Sequence, residues 1–276
     1  MVYSGPHGSK ISLSKQRPVS SELHVRRAGQ GAPVVLLHGL FGSGGNLGAL
    51  VRDLQAQFSV YAPDLPGHGR SAWLEHYDLP MLARRVDRWL DDEGLERVTL
   101  VGHSLGGKLG MEMALRLPQR VRGLVVADIA PVDYPARHDE VFGALAEVAQ
   151  AHCRSRKEAA EIMRAHLEEE GVIQFLLASL APAAGGEYDW RMDRAGLQRS
   201  YADLIRAPGA FPPFPGPVLF IKGENSDYIG AGHRAVIEAL FPAAQLKIMS
   251  GCGHWLHVEK PELFNSIVRR FLDASS

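Results

Sequence analysis

The residues of this chain that most clearly indicate chemistry form the pentapeptide Gly102-His103-Ser104-Leu105-Gly106. Four β-prone residues, 98–101, lead directly into it, and a helical pattern follows. Glycine two positions before and after a serine permits a sharp strand-to-helix turn. Such a turn exposes the hydroxyl at the helix N-terminus, where free N–H groups favour negative charge. The pentapeptide therefore predicts that Ser104 is a nucleophile and that the N–H of Leu105 donates to the oxyanion formed on its attack.

A serine hydroxyl becomes a good nucleophile only when a base accepts its proton and a carboxylate orients that base. His254 is the candidate base, because it follows the small residues 250–253 after the last predicted strand, at the sheet edge where Ser104 is expected. His257 is its rival, but it stands where the final helix approaches, which favours a supporting or surface role. The candidate acids follow strand ends: Asp64, Asp128 and Asp227.

A second oxyanion donor is expected in the loop after the first buried strand, which reads His38-Gly39-Leu40-Phe41-Gly42. The N–H of Leu40 or that of Phe41 can fill this role, because the flanking glycines let the backbone approach a ligand closely. His38 is expected to act mainly as a hydrogen-bonding residue beside the pocket. The other residues expected to border the substrate are His103, Phe175, Leu176, Leu180, Trp190 and Trp255.

Strands and helices alternate along the segments that carry these groups. The predicted strands cover residues 22–27, 33–38, 58–62, 98–101, 121–127, 218–221 and 245–249. The predicted helices between them cover residues 46–57, 79–92, 105–117, 233–240 and 261–272. This order predicts an α/β fold with a mostly parallel, doubly wound sheet of about eight strands.

The alternation stops between residues 131 and 208, where the sequence is charged and helix-prone and no strand is predicted. Helices are expected there at 141–151, 157–169 and 172–180. Because open α/β sheets bind ligands at the carboxyl ends of their strands, such an insertion is expected to form a lid over the site. The expected organisation is a disordered tail (1–20), a first core part (21–130), a helical cap (131–210) and a second core part (211–276).

Composition excludes several other classes of protein. The 276 residues include 30 basic and 31 acidic side chains, so no excess charge favours nucleic acid or an anionic membrane as partner. No apolar run reaches the ~20 residues of a membrane helix, and residues 1–20 lack the apolar segment of a secretion signal. The two cysteines, Cys153 and Cys252, suit a reducing cytoplasm and form no metal-binding pattern. We therefore expect a cytoplasmic protein with a small-molecule substrate and neither metal nor organic cofactor.

Five motifs together make the chain resemble the α/β-hydrolase superfamily from about residue 22 onward. They are His38-Gly39, the run from Asp64 to Ser71, Gly102 to Gly106, the turn at Gly223, and Gly253-His254. The chain is more closely similar to one branch, the bacterial YbfF-like esterases, in the runs 38–43, 46–47, 102–108, 128–134, 169–177 and 251–255. The resemblance implies the α/β-hydrolase fold with an inserted lid, and it implies that Asp64 is structural.

The resemblance also bears on the choice of acid. In most of the superfamily the acid follows the strand at 218–221, at the position that Ser226 occupies here. In the YbfF-like branch it follows the strand after the nucleophile helix, where this chain has Asp128. Ser226 is then an auxiliary hydrogen-bonding residue, and its neighbour Asp227 stays the alternative acid. The implied triad is Ser104, His254 and Asp128.

The same resemblance implies a hydrolase of short- to medium-chain esters or thioesters that works through an acyl-enzyme on Ser104. An acyl-CoA substrate stays open, because basic residues of the lid could hold its phosphates: Arg154, Arg156, Lys157 and Arg164. A solvated helix face is the simpler interpretation of those residues. Alternative functions are C–C bond hydrolysis or perhydrolysis with the same triad, or a ligand-binding receptor with weak hydrolysis. Serine at position 104 disfavours haloalkane dehalogenases and epoxide hydrolases, which use aspartate there.

Overall fold

The computed structural model describes residues 23–275, so the tail expected at 1–20 lies outside the described residues. The strands are β1 (Val25–Ala28), β2 (Ala32–Leu37), β3 (Phe58–Pro63), β4 (Val98–His103), β5 (Val121–Ala127), β6 (Leu180–Pro182), β7 (Tyr188–Trp190), β8 (Val218–Gly223) and β9 (Ala244–Met249). The α-helices are α1 (Gly48–Leu54), α2 (Leu79–Asp92), α3 (Leu105–Arg116), α4 (Asp139–Gln150), α5 (Arg156–Met163), α6 (Glu170–Leu177), α7 (Arg194–Arg199), α8 (Tyr201–Leu204), α9 (Arg234–Leu240), α10 (Leu256–Glu259) and α11 (Pro261–Ser275). Within residues 23–275, no helix combines the length and apolar character needed to cross a membrane.

One sheet forms the centre of the fold, with strand order β1-β3-β2-β4-β5-β8-β9. β1 pairs antiparallel with β3, and the other neighbouring strands pair in parallel. The expected mostly parallel α/β sheet is therefore confirmed. In the described part of the chain it has seven strands rather than about eight, because a single edge strand, β1, precedes β2 there. The carboxyl ends of the parallel strands meet at one edge, where the candidate residues follow them.

Side chains that alternate along the strands build a core on each face of the sheet. In β2, Val34 and Leu36 pack with residues of α1 and α11. Val35 and Leu37 pack on the opposite face with residues of α2 and α3. Each buried side chain of this size stabilises the fold by ~1.5–3 kcal/mol. Because both faces of the sheet are buried, successive side chains of its strands are apolar, and the strands form continuous apolar runs in the sequence.

The chain between β5 and β8 forms an insertion that contains α4 to α8. It also contains β6 and β7, which pair antiparallel, so the expectation that residues 131–208 contain no strand is wrong. These strands form because Gly185 and Gly186 adopt positive φ angles between them and reverse the chain. The helices expected at 157–169 and 172–180 are shorter, as α5 and α6. We refer to residues 131–210 as the cap.

Lys108 of α3 ties both ends of the cap to the core. Its Nζ donates to the carbonyl oxygen of Val132 at 2.7 Å, where the chain enters the cap. It also donates to Ile205 O at 2.8 Å and to Arg206 O, where the chain leaves the cap. Both ends of the cap are thus held by the helix that begins beside Ser104.

Candidate active site

Ser104 lies at the turn between β4 and α3, with a φ of 51° in the left-handed region. A Cβ atom on Gly102 would lie 2.2 Å from the carbonyl oxygen of Gly106. A Cβ atom on Gly106 would lie 2.1 Å from Leu37 O. Both glycines are therefore sterically required, as the pentapeptide predicts. The turn places Ser104 at the N-terminus of α3 and in the wall of a cavity.

Asp128 follows β5 directly and is completely buried beside His254. Its Oδ2 accepts hydrogen bonds from Nδ1 of His254, at 2.8 Å, and from Oγ of Ser226. Its Oδ1 accepts the N–H of Gly223 at 2.9 Å. A carboxylate that takes the Nδ1 proton of a histidine leaves Nε2 as the free ring nitrogen. The structure thus brings Asp128, Ser226 and His254 together, at the cavity that Ser104 also lines.

The alternative acids have other partners. The side chain of Asp227 is 70% exposed and forms an ion pair with Nη1 of Arg137 at 2.7 Å. Asp64 accepts the backbone N–H groups of Gly44 and Arg70, and so braces the loop that follows β3. These contacts leave Asp128 as the carboxylate on His254.

Two aromatic residues hold the ring and backbone of His254. The ring of Tyr228 stacks on it with centroids 4.0 Å apart. The Nε2 atom of His103 donates to the carbonyl oxygen of His254 at 2.9 Å. Burial lowers the pKa of His103 well below its usual value, so this ring is neutral. The rival His257 is buried beside His103, with ring centroids 4.5 Å apart, and burial lowers its pKa to about 4.

The structure distinguishes between Leu40 and Phe41, the two candidate oxyanion donors in the loop of residues 38–42, which we call the oxyanion loop. The N–H of Phe41 donates to Nε2 of His68 at 3.2 Å. The other ring nitrogen of His68 lies 3.0 Å from Pro66 O and carries the proton, so Nε2 is an acceptor. Burial lowers the pKa of His68 to about 3, in agreement with a neutral ring. The N–H of Phe41 therefore already has an acceptor in His68. The N–H of Leu40 is the candidate oxyanion donor of this loop, together with the N–H of Leu105 at the start of α3.

A cavity of about 800 Å³ lies between the cap and the carboxyl edge of the sheet. Several residues expected at the pocket do line it, namely Leu40, Phe41, His103, Leu105, Phe175, Leu176 and Trp255. The rings of Phe175 and Trp255 lie 4.3 Å apart and join the cap to the loop that carries His254. The cavity is therefore bounded by the cap on one side and by the catalytic loops on the other.

Three residues expected at the pocket lie outside its wall. His38 is buried between loops, where Nδ1 donates to Gly39 O and Nε2 accepts the N–H of Leu65, both at 2.8 Å. Leu180 belongs to β6 and is fully buried in the core. Trp190 donates from Nε1 to Leu145 O at 2.9 Å. Both residues are buried within the cap, where β7 packs against α4 and β6 pairs with β7.

The cavity wall also contains residues that sequence reasoning missed: Lys108, Tyr134, His138, Tyr201 and Tyr228. Nδ1 of His138 contacts the hydroxyl of Tyr201. Burial lowers the pKa of His138 to about 4 and that of Lys108 to about 7. Tyr228 stands two positions after Ser226 and could have been suspected from that spacing. Lys108 and Tyr134 end the runs 102–108 and 128–134, which were singled out for their resemblance and not as cavity wall, whereas His138 and Tyr201 carry no local signal.

Ser226→Ala is expected to lower kcat about tenfold, because a hydrogen bond to a charged group contributes ~1.5–3 kcal/mol and tenfold corresponds to about 1.4 kcal/mol. The lost bond is the one from Oγ to Asp128. Steady-state kinetics on an activated butanoate ester measure the effect. Ser226→Thr keeps the hydroxyl and serves as the matched variant, with kcat close to wild type. Equal losses in both variants would contradict the role of the hydroxyl.

Known proteins similar to this chain share its fold along most of its length. The sequence matches the family model of the alpha/beta hydrolase fold over residues 32–261. It is 40% identical to Esterase YbfF of Escherichia coli (strain K12), over 88% of this chain and 93% of that protein. It is 34% identical to sn-1-specific diacylglycerol lipase ABHD11 of Mus musculus, over 87% of this chain and 80% of that protein. Among solved structures, a marine microorganism esterase matches with a TM-score of 0.88 and 32% identity, over 91% of this chain and all of that one.

These matches identify the class of protein. The chain belongs to the α/β-hydrolase fold family, as its motifs implied. Within that family it belongs with the esterases, in agreement with the resemblance drawn from its motifs.

Proposed function

We propose that this chain hydrolyses carboxylic esters with short- to medium-chain acyl groups through an acyl-enzyme on Ser104. The observation that carries the proposal is the 2.8 Å contact between His254 Nδ1 and Asp128, at the cavity that Ser104 lines. This contact selects Nε2 of His254 as the proton acceptor and stabilises the imidazolium that forms. The hydroxyl of Ser226 and the N–H of Gly223 hold the carboxylate in place.

Acylation begins when Oγ of Ser104 attacks the acyl carbon and Nε2 of His254 takes the hydroxyl proton. The N–H groups of Leu105 and Leu40 donate to the oxyanion of the tetrahedral intermediate. His254 then gives the proton to the leaving alcohol, and the acyl group remains on Ser104. A water molecule next loses a proton to His254 and attacks the acyl carbon. The second tetrahedral intermediate then collapses, Oγ of Ser104 leaves and takes the proton back from His254, and the acid is released.

The cavity supports an acyl group of moderate size as substrate. Its volume of about 800 Å³ lies within the ~300–1,000 Å³ of small-molecule sites. Val172, Phe175 and Leu176 of α6 face it, and Trp255 adds a large apolar surface. These side chains offer no charge to a bound acyl chain, and their contacts favour a hydrocarbon there.

The four basic cap residues considered as phosphate ligands do not support an acyl-CoA substrate. Arg154, Arg156, Lys157 and Arg164 are absent from the wall of the cavity within residues 23–275. Arg164 forms an ion pair with Glu170 at 3.0 Å, and Arg156 donates to Leu180 O. Their positions favour the simpler interpretation, a solvated surface of the cap. Esters are therefore the proposed substrates.

Turnover of p-nitrophenyl esters from acetate to decanoate tests the proposal. Wild type is expected to hydrolyse the short and medium esters, with EDTA leaving the rate unchanged, and Ser104→Ala is expected to be inactive. An alkyl phosphonate should stop turnover, and mass spectrometry should find its adduct on the peptide that contains Ser104. Absence of turnover at every chain length, or an adduct on another residue, would overturn the proposal.

A further inference from the structure

The oxyanion loop contains a residue in an unusual backbone conformation. The N–H of Gly42 donates to Gly39 O at 3.1 Å and closes a four-residue turn, with Leu40 and Phe41 in the middle. Phe41 has a φ of 66°, at a turn position where glycine or asparagine is normally required. A phenylalanine stays in this conformation only if its surroundings hold it there.

Two hydrogen bonds hold the backbone of Phe41 from opposite sides. On the core side, its N–H donates to Nε2 of His68. On the cap side, its carbonyl oxygen accepts the hydroxyl of Ser179 at 2.8 Å, in a buried contact between residues 138 positions apart. The ring of Phe41 also packs against Phe142 of α4, with centroids 5.1 Å apart. The cap therefore holds both the backbone and the side chain of Phe41.

Ser179 is itself held firmly. It lies between α6 and β6, where its N–H donates to Leu176 O and its carbonyl oxygen accepts the N–H of Arg191. These bonds, at 2.9 and 2.8 Å, fix the backbone on both sides of the hydroxyl. Ser179 is only 7% exposed, so water competes little for the hydrogen bond of its hydroxyl.

We propose that Ser179 is a positioning residue through which the cap completes the oxyanion hole. The inference rests on the proposed function, because it assigns the N–H of Leu40 to the oxyanion. With Ser179 in contact, Phe41 stays left-handed, and the turn keeps the N–H of Leu40 directed toward the position of the oxyanion. Without it, the turn relaxes toward an ordinary φ and the peptide groups around Leu40 reorient. The site is thus fully assembled only when the cap is seated.

Ser179→Ala tests the proposal in kinetics. Removal of a whole oxyanion donor lowers kcat ~10²–10³-fold, so loss of its positioning is expected to lower kcat about tenfold, with KM nearly unchanged. Cysteine has nearly the shape of serine, but its thiol is a poor hydrogen-bond donor. Ser179→Cys is therefore also expected to lower kcat, and it provides the test if the alanine variant does not fold. A trifluoromethyl ketone, whose adduct with Ser104 bears the oxyanion, should bind about tenfold more weakly to both variants.

Ser200→Ala is the matched control. Ser200 is another buried serine of the cap. Its Oγ accepts the N–H of Tyr77 at 3.0 Å and contacts Nδ1 of His76, and neither of these partners belongs to the oxyanion loop. This variant loosens the same cap and should leave kcat and ketone binding within about twofold of wild type. A wild-type kcat in both Ser179 variants, or an equal loss in Ser200→Ala, would overturn the proposal. Absence of ester turnover by wild type would instead contradict the proposed function.

Discussion

Asp128→Asn is expected to lower kcat about 10⁴-fold, the loss found when an amide replaces the acid of a serine triad. The carboxylate accepts hydrogen bonds from His254, Ser226 and Gly223 at once. An amide there retains one acceptor oxygen and turns N–H groups toward donors. His254 would then adopt the tautomer with its proton on Nε2, which cannot accept the proton of Ser104. The side chains are nearly equal in volume, so the fold should survive.

Asp227→Asn is the matched control for this prediction. Asp227 stands next to Ser226 and pairs with Arg137, so its charge acts at the exposed rim of the site. Such an exposed pair contributes ~0.2–1 kcal/mol, and kcat should stay within a few-fold of wild type. Steady-state kinetics with one activated ester, and circular dichroism to confirm folding, measure both variants. Near-normal activity in Asp128→Asn, with a collapse in Asp227→Asn, would reverse the assignment.

Lys108→Met is expected to lower the free energy of unfolding by about 3 kcal/mol, because a buried polar group left without its partner costs ~1–3 kcal/mol. Lys108 is almost completely buried, and its Nζ lies within hydrogen-bond distance of three carbonyl groups, those of Val132, Ile205 and Arg206, to all of which the protonated side chain donates. Methionine preserves the length and apolar stem of the side chain but donates nothing. Both ends of the cap then lose their tie to α3. Urea unfolding measures the stability, and limited proteolysis should cut near residues 132–137 and 205–210.

Lys222→Met controls for the loss of a lysine with carbonyl partners. Nζ of Lys222 donates to Gly223 O at 2.9 Å and to Ser226 O at 2.7 Å. Lys222 is half-buried, so water can replace the lost donor, and a cost of less than about 1 kcal/mol is expected. Equal stabilities of the two variants, with no new cleavage at the cap ends, would show that Lys108 does not hold the cap.

Local sequence was sufficient for the nucleophile turn and for most elements of the sheet. The steric need for Gly102 and Gly106 acts over a few residues, so the pentapeptide predicted the strand, the turn and the helix together. The helix expected at 79–92 and the strand at 121–127 have the same bounds in the structure. In the cap, the short strands β6 and β7 were missed, since three-residue strands carry almost no periodic signal.

The identity of the carboxylate that contacts His254 was harder to predict from the sequence. On the residues alone Asp64, Asp128 and Asp227 were all candidates, and only the resemblance to the YbfF-like branch favoured Asp128. In the structure the choice depends on direction: Asp128 turns inward at the end of β5, whereas Asp227 turns outward to Arg137. Three residues expected at the pocket lie outside the cavity for a similar reason. The partners of His38 belong to neighbouring loops, and those of Leu180 and Trp190 lie in the interior of the cap.

The sequence by itself determined the alternation of strands and helices in the core, the nucleophile turn and the small set of candidate groups at the sheet edge. These follow from apolar periodicity and from steric limits that act between near neighbours. The tertiary structure alone decided which carboxylate contacts His254, which N–H of the oxyanion loop is left free, and which cap residues face the cavity. Those outcomes depend on contacts between residues far apart in the chain, as between Ser179 and Phe41, and such contacts exist only after the cap has packed on the core.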